Sequence, residues 1–262
     1  MLAEGFSIAT YRNIHLIYNP AAGRLVRSRE APVPRLESVL RRRGASVTLR
    51  ATEAVGHATE LARQAVSAGA DLVLVLGGDG AVNEAINGLV HSEVPLGVLP
   101  GGTANILASE LGLARSPAAT AELIPELIPQ RLSVGLLTPT AAPPRYFLLM
   151  AGVGLDARIV VSVDPELKKR VGKLAYWIGG FGQLGRQVPE FLVTVNGDVL
   201  PSSFALASRV RNYGGDIEIA KSASLLEDYF ELVSFQGEDS FRYLKYLTGV
   251  LANLLHKMQG VS

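Results

Sequence analysis

The residues of this sequence best suited to phosphate binding form the run Gly77-Gly78-Asp79-Gly80. The run follows an apolar segment, Asp71 to Leu76, that predicts a buried strand, and it precedes a predicted helix. Glycines at such a turn let backbone N–H groups approach phosphate oxygens, and the helix N-terminus adds partial positive charge. Asp79 could hold a ribose hydroxyl or orient a phosphate-bound metal. The simpler alternative is a tight turn in which Asp79 caps the helix.

A second glycine-rich run, Pro100-Gly101-Gly102-Thr103-Ala104-Asn105, also lies between a predicted strand and a predicted helix. Thr103 offers a hydroxyl to phosphate, and Asn105 could cap the helix or bind a ligand. Because ligands of parallel α/β sheets bind at the carboxyl ends of strands, two such loops on neighbouring strands predict one phosphate-binding cleft. Asn19-Pro20-Ala21-Ala22-Gly23 follows the first predicted strand and is expected to join this cleft.

The elements that position these loops alternate between strand and helix in the first half of the chain. Strands are predicted at 14–18, 47–50, 71–76 and 96–99, and helices at 33–43, 57–67 and 82–89. This alternation predicts right-handed crossovers and a mostly parallel sheet. After residue 130 strands dominate, at 132–137, 146–150, 191–195, 204–207 and 229–235, with helices at 167–184 and 240–258. We therefore expect an α/β domain over 1–130 and a β-rich domain over 131–262.

Composition narrows the function classes. The 262 residues carry 25 Lys plus Arg and 24 Asp plus Glu, a net charge of +1 that does not favour a nucleic-acid binder. The sequence has no cysteine, which excludes disulfides and thiolate chemistry and fits a reducing cytoplasm. No signal peptide and no apolar run of about 18 residues is evident, so a lipid-active protein of this sequence would work at the membrane surface.

In this order and spacing, the GGDG, PGGTAN and NPAAG segments resemble the catalytic domain shared by diacylglycerol kinases, bacterial lipid kinases and sphingosine kinases. Further matches are found at Thr52 to Ala58, at Val82-Asn83-Glu84, at Asn105 to Ala108 and at Ala151 to Ala157. The resemblance implies an α/β, NAD kinase-like nucleotide-binding domain, followed by a β-sandwich-like domain that helps to bind lipid and metal. It also implies ATP and Mg²⁺, and a lipid hydroxyl, of diacylglycerol or a related lipid alcohol, as acceptor.

Site residues carried over by this resemblance fall into two groups. The nucleotide-binding residues would be Asn19, Thr52, Gly77, Gly78, Asp79, Gly80 and Thr103. The family's metal-binding segment falls on residues 222–231, where Ser224, Glu227 and Tyr229 occupy the ligand positions. A slip of one residue in the alignment would make Asp228 the ligand, and an acidic turn before a strand is the structural alternative.

This sequence departs from the family pattern at three points. Ala81 stands where the family usually has Thr after GGDG, and Ser133 stands where an Asp is common. The family's general base lies in an Asp-Gly-Glu turn that would come after Ser262, so the catalytic base is expected beyond this residue and the second domain is expected to be incomplete. Two alternative functions stay open. One is an NAD kinase-like enzyme, which shares the GGDG run and also uses ATP. The other, favoured by a base expected beyond Ser262, is a nucleotide- or lipid-binding module without catalysis. A homodimer is a further expectation.

Overall fold

A computed structural model describes residues 11–23, 32–42, 44–113, 116–154, 157, 189–213 and 218–237. The predicted helices at 167–184 and 240–258 lie outside these residues. The chain forms two compact units, Met1–Phe147 and Leu148–Ser262. The sequence predicts a domain boundary after residue 130, whereas the two units divide after Phe147. The boundary lies later in the chain because a short hairpin at residues 135–147 packs with the first unit.

The first unit contains a four-stranded parallel sheet in the order β2-β1-β3-β4. Its strands are β1 (Asn13–Tyr18), β2 (Ser46–Ala51), β3 (Leu72–Gly77) and β4 (Leu96–Pro100). Every residue of β3 is buried, as expected of a central strand covered on both faces. From β1 the chain adds β2 on one side and then β3 and β4 on the other, so the topological switch point lies between β1 and β3. Ligands of open α/β sheets bind at such a switch point. The predicted α/β fold with a parallel sheet is confirmed.

The crossover segments of this unit, and the segments that follow β4, are helical. They are α1 (Pro32–Arg41), α2 (His57–Ser67), α3 (Asp79–Leu89), α4 (Ile106–Glu110) and α5 (Pro117–Leu123), followed by a 3₁₀ turn, Ile124–Glu126. The apolar face of α1, with Leu36, Val39 and Leu40, packs into the core beside residues of β1 and β3. Ser116 caps α5, where its hydroxyl accepts a hydrogen bond from the N–H of Ala119.

Helices α2 and α3 approach each other closely at Gly88. A Cβ on Gly88 would lie 2.3 Å from the carbonyl oxygen of Thr59, so a larger residue would separate the helices. The Thr59 hydroxyl donates to the carbonyl of Glu84 at 2.8 Å, and the Glu84 carboxylate accepts from the N–H of Ala58 at 3.4 Å. Glu84 therefore satisfies a backbone donor in the first turn of α2 and fixes its position against α3.

The hairpin of β5 (Gly135–Leu137) and β6 (Arg145–Phe147) is joined to α3 through an asparagine side chain. The Asn87 amide nitrogen donates to the carbonyl of Tyr146 at 2.9 Å, and its oxygen accepts from the N–H of Tyr146 at 2.9 Å. Asn87 thus pairs with Tyr146 as a neighbouring strand would. This pairing explains why the hairpin belongs to the first unit.

The second unit is β-rich. Its three-stranded antiparallel sheet has the order β11-β10-β7, formed by β11 (Glu231–Phe235), β10 (Phe204–Ser208) and β7 (Met150–Gly154). A separate hairpin joins β8 (Phe191–Val195) to β9 (Asp198–Ser202). Its turn residues Asn196 and Gly197 both have positive φ, 52° and 94°, as a two-residue hairpin turn requires.

One strand prediction in this region was wrong. The sequence predicts a single strand over 146–150, but β6 ends at Phe147 and β7 begins at Met150. The apolar run is continuous, so periodicity alone cannot reveal the break between the two strands.

Candidate nucleotide-binding site

The loops singled out by the sequence all leave the same edge of the parallel sheet. Three of the four loops begin with a backbone hydrogen bond to a neighbouring strand. The N–H of Asn19 donates to the carbonyl of Leu76 at 3.2 Å, and the N–H of Thr52 to that of Tyr18 at 2.9 Å. The N–H of Gly101 donates to the carbonyl of Gly77 at 2.9 Å. The structure therefore brings the four loops together at the carboxyl ends of β1 to β4.

The two glycine loops are in van der Waals contact. A Cβ on Gly102 would lie 2.4 Å from the Cα of Gly78, and a Cβ on Gly78 would lie 3.3 Å from the Cα of Gly102. The carbonyl of Gly77 accepts from the N–H groups of both Gly101 and Gly102, at 2.9 and 3.1 Å. Because only a backbone without a side chain allows this approach, glycine is required here for packing as well as for any ligand.

Asn105 closes the second glycine loop. Its side-chain oxygen accepts from the N–H of Gly102 at 2.8 Å, and its side-chain nitrogen donates to the carbonyl of Gly102 at 3.0 Å. Its backbone is left-handed, with φ 50°, and its side chain makes no cap hydrogen bond to α4. Of the two roles considered for Asn105, the side chain does not cap α4, and its bonds to Gly102 fix the shape of the loop.

Asp79 is the first residue of α3, and its carboxylate Oδ1 accepts a hydrogen bond from the N–H of Leu107 at 3.1 Å. Residue 107 lies in the first turn of α4, so Asp79 connects the GGDG loop to the helix that follows the PGGTAN loop. The N-cap residue of α3 is Gly78, which has no side chain to cap the helix. The first N–H groups of α3 therefore lack intrahelical acceptors and face the same edge of the sheet, where they suit an anionic ligand.

Thr103 is exposed at the tip of the second glycine loop and lies next to the NPAAG segment. A Cβ on Gly23 would lie 3.9 Å from Thr103 Oγ1. The Asn19 side chain accepts from the N–H of Ala21 at 2.8 Å, which folds the segment into a turn directed across β3. Gly80 is exposed at the start of α3. The Thr103 hydroxyl and the N-terminus of α3 thus remain accessible around the glycine contact.

The loop after β2 borders the site on the opposite side from Thr103. Thr52 is half-buried at its start. The N–H of Glu53 donates to Nδ1 of His57 at 3.1 Å, which draws the loop toward the first residue of α2. Gly56 has φ 87°, a conformation that favours glycine, and Val55 at the tip is 93% exposed.

The predicted metal segment lies in the second unit, before β11. Ser224 Oγ accepts from the N–H of Leu226 at 3.3 Å, and the Tyr229 hydroxyl donates to the carbonyl of Ser222 at 2.7 Å. The carbonyl of Glu227 accepts from Arg209, while the Glu227 side chain is exposed. Among the described residues, no group of three or more His, Asp and Glu is placed to hold a metal ion. As arranged, the Glu227 carbonyl and the Tyr229 hydroxyl already have protein partners.

Sequence reasoning missed three of the residues that shape these regions. Glu84 and Asn87 fix α2 and β6 to α3, and Arg209 anchors the segment around Glu227. Asn83-Glu84 is part of one of the segments that carry the family resemblance, but such a segment does not tell which atoms its side chains reach.

Among the described residues, no helix has both the length and the apolarity that crossing a bilayer requires.

Part of this chain matches a known protein family. Residues 13–137 match the model of the diacylglycerol kinase catalytic domain. The chain is 27% identical over 249 residues to a diacylglycerol kinase of Bacillus subtilis, covering 92% of this chain and 79% of that protein. It is also 27% identical over 227 residues to a diacylglycerol kinase of Staphylococcus aureus, covering 85% of this chain and 70% of the relative.

Solved structures show the same fold. The crystal structure of a diacylglycerol kinase from Bacillus anthracis superposes with a TM-score of 0.66 and 23% identity, covering 92% of this chain and 79% of that one. Another solved chain from the same organism gives a TM-score of 0.76 at 21% identity, covering 100% of this chain and 84% of that one.

Proposed function

Since this chain belongs to the diacylglycerol kinase-like family of lipid kinases, we propose that it transfers the γ-phosphate of ATP to the hydroxyl of diacylglycerol or a related lipid alcohol. The observation that carries the proposal is the contact between the two glycine loops, Gly78 against Gly102, at the carboxyl edge of the parallel sheet. This contact places the accessible Thr103 hydroxyl and the uncapped N-terminus of α3 around one region, as phosphate binding requires.

In the proposed reaction, the lipid oxygen forms a bond to the γ-phosphorus, the bond to the ADP oxygen breaks, and the hydroxyl proton passes to a carboxylate acting as base. Phosphoryl transfer depends mainly on positioning and charge neutralisation. The N–H groups at the start of α3 would hold phosphate oxygens, and Thr103 would donate to one of them. Thr52 and Asn19 would border the nucleotide.

Mg²⁺ would accompany ATP and neutralise charge on its phosphates. Asp79 would supply a carboxylate oxygen to this Mg²⁺. One of its oxygens accepts from the N–H of Leu107, and the other is not needed for that bond. The proposed nucleotide-binding set is therefore Asn19, Thr52, Gly77, Gly78, Asp79, Gly80 and Thr103. A metal at Ser224, Glu227 and Tyr229 stays a prediction from the resemblance.

The test is a radiometric assay with γ-labelled ATP and three acceptors: diacylglycerol in mixed micelles, a sphingoid base, and NAD. We expect label in a lipid product and none in NAD. Label in NAD would favour the NAD kinase-like alternative. ATP binding by calorimetry without labelled product from any acceptor would favour the binding module. Thr103→Ala should lower product formation, whereas Asp198→Ala, at the exposed first residue of β9, should not.

The proposal also covers the place where the protein works and its oligomeric state. A lipid acceptor implies work at a membrane surface, from the cytoplasmic side, with the protein bound peripherally. Sedimentation with phosphatidylglycerol vesicles, with and without diacylglycerol, measures this association. Sedimentation velocity of the purified chain measures the expected homodimer.

A further inference from the structure

Arg209 is the most deeply buried charged residue among those described, with 1% of its surface exposed. It follows β10 directly, and its backbone N–H donates to the carbonyl of Leu149 at 2.8 Å. Burying a guanidinium is unfavourable unless polar partners surround it. Its partners therefore indicate what the residue does.

Two of those partners are backbone carbonyls of one loop. Arg209 Nη2 donates to the carbonyl of Leu225 at 2.7 Å and also to the carbonyl of Glu227. The Arg209 Cζ lies 5.8 Å from the centroid of the Phe230 ring, within the range of a cation–π contact. Two carbonyls and one aromatic face of the 225–230 segment thus converge on a single buried cation.

Backbone carbonyls, together with carboxylates and waters, are also ligands with which loops bind divalent cations such as Ca²⁺. Here the carbonyl oxygens point at a guanidinium, and the Tyr229 hydroxyl is bonded to Ser222. A divalent cation on the Glu227 carbonyl would compete with Arg209 for that oxygen and would lie beside a like charge.

We propose that the Arg209 guanidinium is the cation to which the backbone carbonyls of the 222–231 segment bind, and that it fixes the conformation of this segment without a bound metal. This inference goes beyond the proposed kinase activity and does not depend on it. It is the alternative to a metal held by Ser224, Glu227 and Tyr229. Arg209 is a positioning residue: it acts on the backbone of the loop rather than on a substrate.

The first experiment uses the full chain without nucleotide and follows its unfolding temperature while MgCl₂ is raised from zero to 10 mM, with and without EDTA. We expect no saturable change. A saturable rise that either Glu227→Gln or Asp228→Asn abolishes would overturn the proposal, because the loop would then hold a metal. A rise that both variants leave unchanged comes from another site and leaves this loop metal-free, as proposed.

The second experiment measures the local order of the loop. Tyr229 and Phe230 are partly exposed chymotrypsin sites. Arg209→Gln removes the charge and the two-carbonyl contact, so cleavage after these residues, identified by mass spectrometry, should accelerate about tenfold or more. Arg209→Lys should give an intermediate rate, because an ammonium keeps the charge but not the planar fork.

The matched control is Arg211→Gln, an exposed arginine two residues further along the chain. Its cleavage rate should equal that of the wild type. Equal rates for Arg209→Gln and Arg211→Gln would overturn the proposal. If Arg209→Gln does not fold, the magnesium titration of the wild type, of Glu227→Gln and of Asp228→Asn decides the question.

Discussion

The carboxylate of Asp79 accepts a hydrogen bond from the backbone N–H of Leu107, at 3.1 Å and across 28 residues of sequence. The bond joins the first residue of α3 to the first turn of α4. A residue expected from the resemblance to face the nucleotide therefore also holds together the two helices that follow the glycine loops. Variants of Asp79 must therefore be chosen so that a loss of nucleotide binding can be told apart from a loss of the hydrogen bond to Leu107.

We predict that Asp79→Ala nearly abolishes ATP binding and also lowers the free energy of unfolding by about 1 kcal/mol, because Leu107 loses its acceptor. Asp79→Asn keeps an oxygen that can accept from Leu107, so its stability should stay close to that of the wild type while ATP binding falls. Denaturant unfolding and calorimetric titration of each variant measure the two effects. Unchanged ATP affinity in Asp79→Ala would remove this residue from the site.

The contact between Gly78 and Gly102 gives a second prediction. In Gly102→Ala the new methyl group would meet the Cα of Gly78 at 2.4 Å, so the loops must separate. We expect a loss of about 1–3 kcal/mol in the free energy of unfolding, as for other overpacked sites, together with weakened ATP binding. Thermal unfolding at matched protein concentration measures the loss.

Gly80→Ala is the matched control, because nothing lies within 4 Å of a Cβ at this position and its φ is not in the positive region. Its stability should equal or slightly exceed that of the wild type, since alanine favours a helix. Equal stability of Gly102→Ala and Gly80→Ala would show that the close approach does not constrain position 102.

Thr103 gives a prediction that depends on its hydroxyl alone. It is exposed, so Thr103→Ala should leave the unfolding temperature unchanged. ATP affinity should fall by about 1 kcal/mol or slightly more, which is roughly fivefold or more in Kd. Thr103→Ser keeps the hydroxyl and should bind ATP nearly as well as the wild type. Equal affinity in all three proteins would place Thr103 outside the phosphate site.

The sequence predicts the sheet and the loops well because their signals are local. A buried run such as DLVLVL and the glycines after it predict β3 and a helix that follows it without tertiary information, although α3 begins at Asp79 and not at the predicted residue 82. The meeting of the GGDG and PGGTAN loops also follows from the sequence, since neighbouring parallel strands end at one edge of a sheet.

The partners of individual side chains could not be predicted in the same way. Asn87 pairs with Tyr146 across 59 residues, and Arg209 reaches carbonyls 16 and 18 residues away. Spacing gives no signal for such contacts, because they depend on how loops return to the core. The roles of Asp79 and Asn105 in linking and shaping loops were hidden for the same reason.

The last prediction concerns His15, a nearly buried residue of β1 that is 6% exposed. Burial, with a smaller contribution from the positive charge of Arg50, lowers the pKa of His15 below its ordinary value of 6.5. The unfolded chain then binds more protons than the native chain as pH falls through this range, so the free energy of unfolding should decrease below about pH 6.5. His15→Gln lacks this titrating group, so its free energy of unfolding should fall less than that of the wild type as the pH is lowered from 8 to 5. The difference in free energy of unfolding between wild type and variant should therefore shrink over this range. Urea unfolding of both proteins at a series of pH values measures it, and parallel stability profiles would show that His15 titrates alike in the folded and unfolded chains.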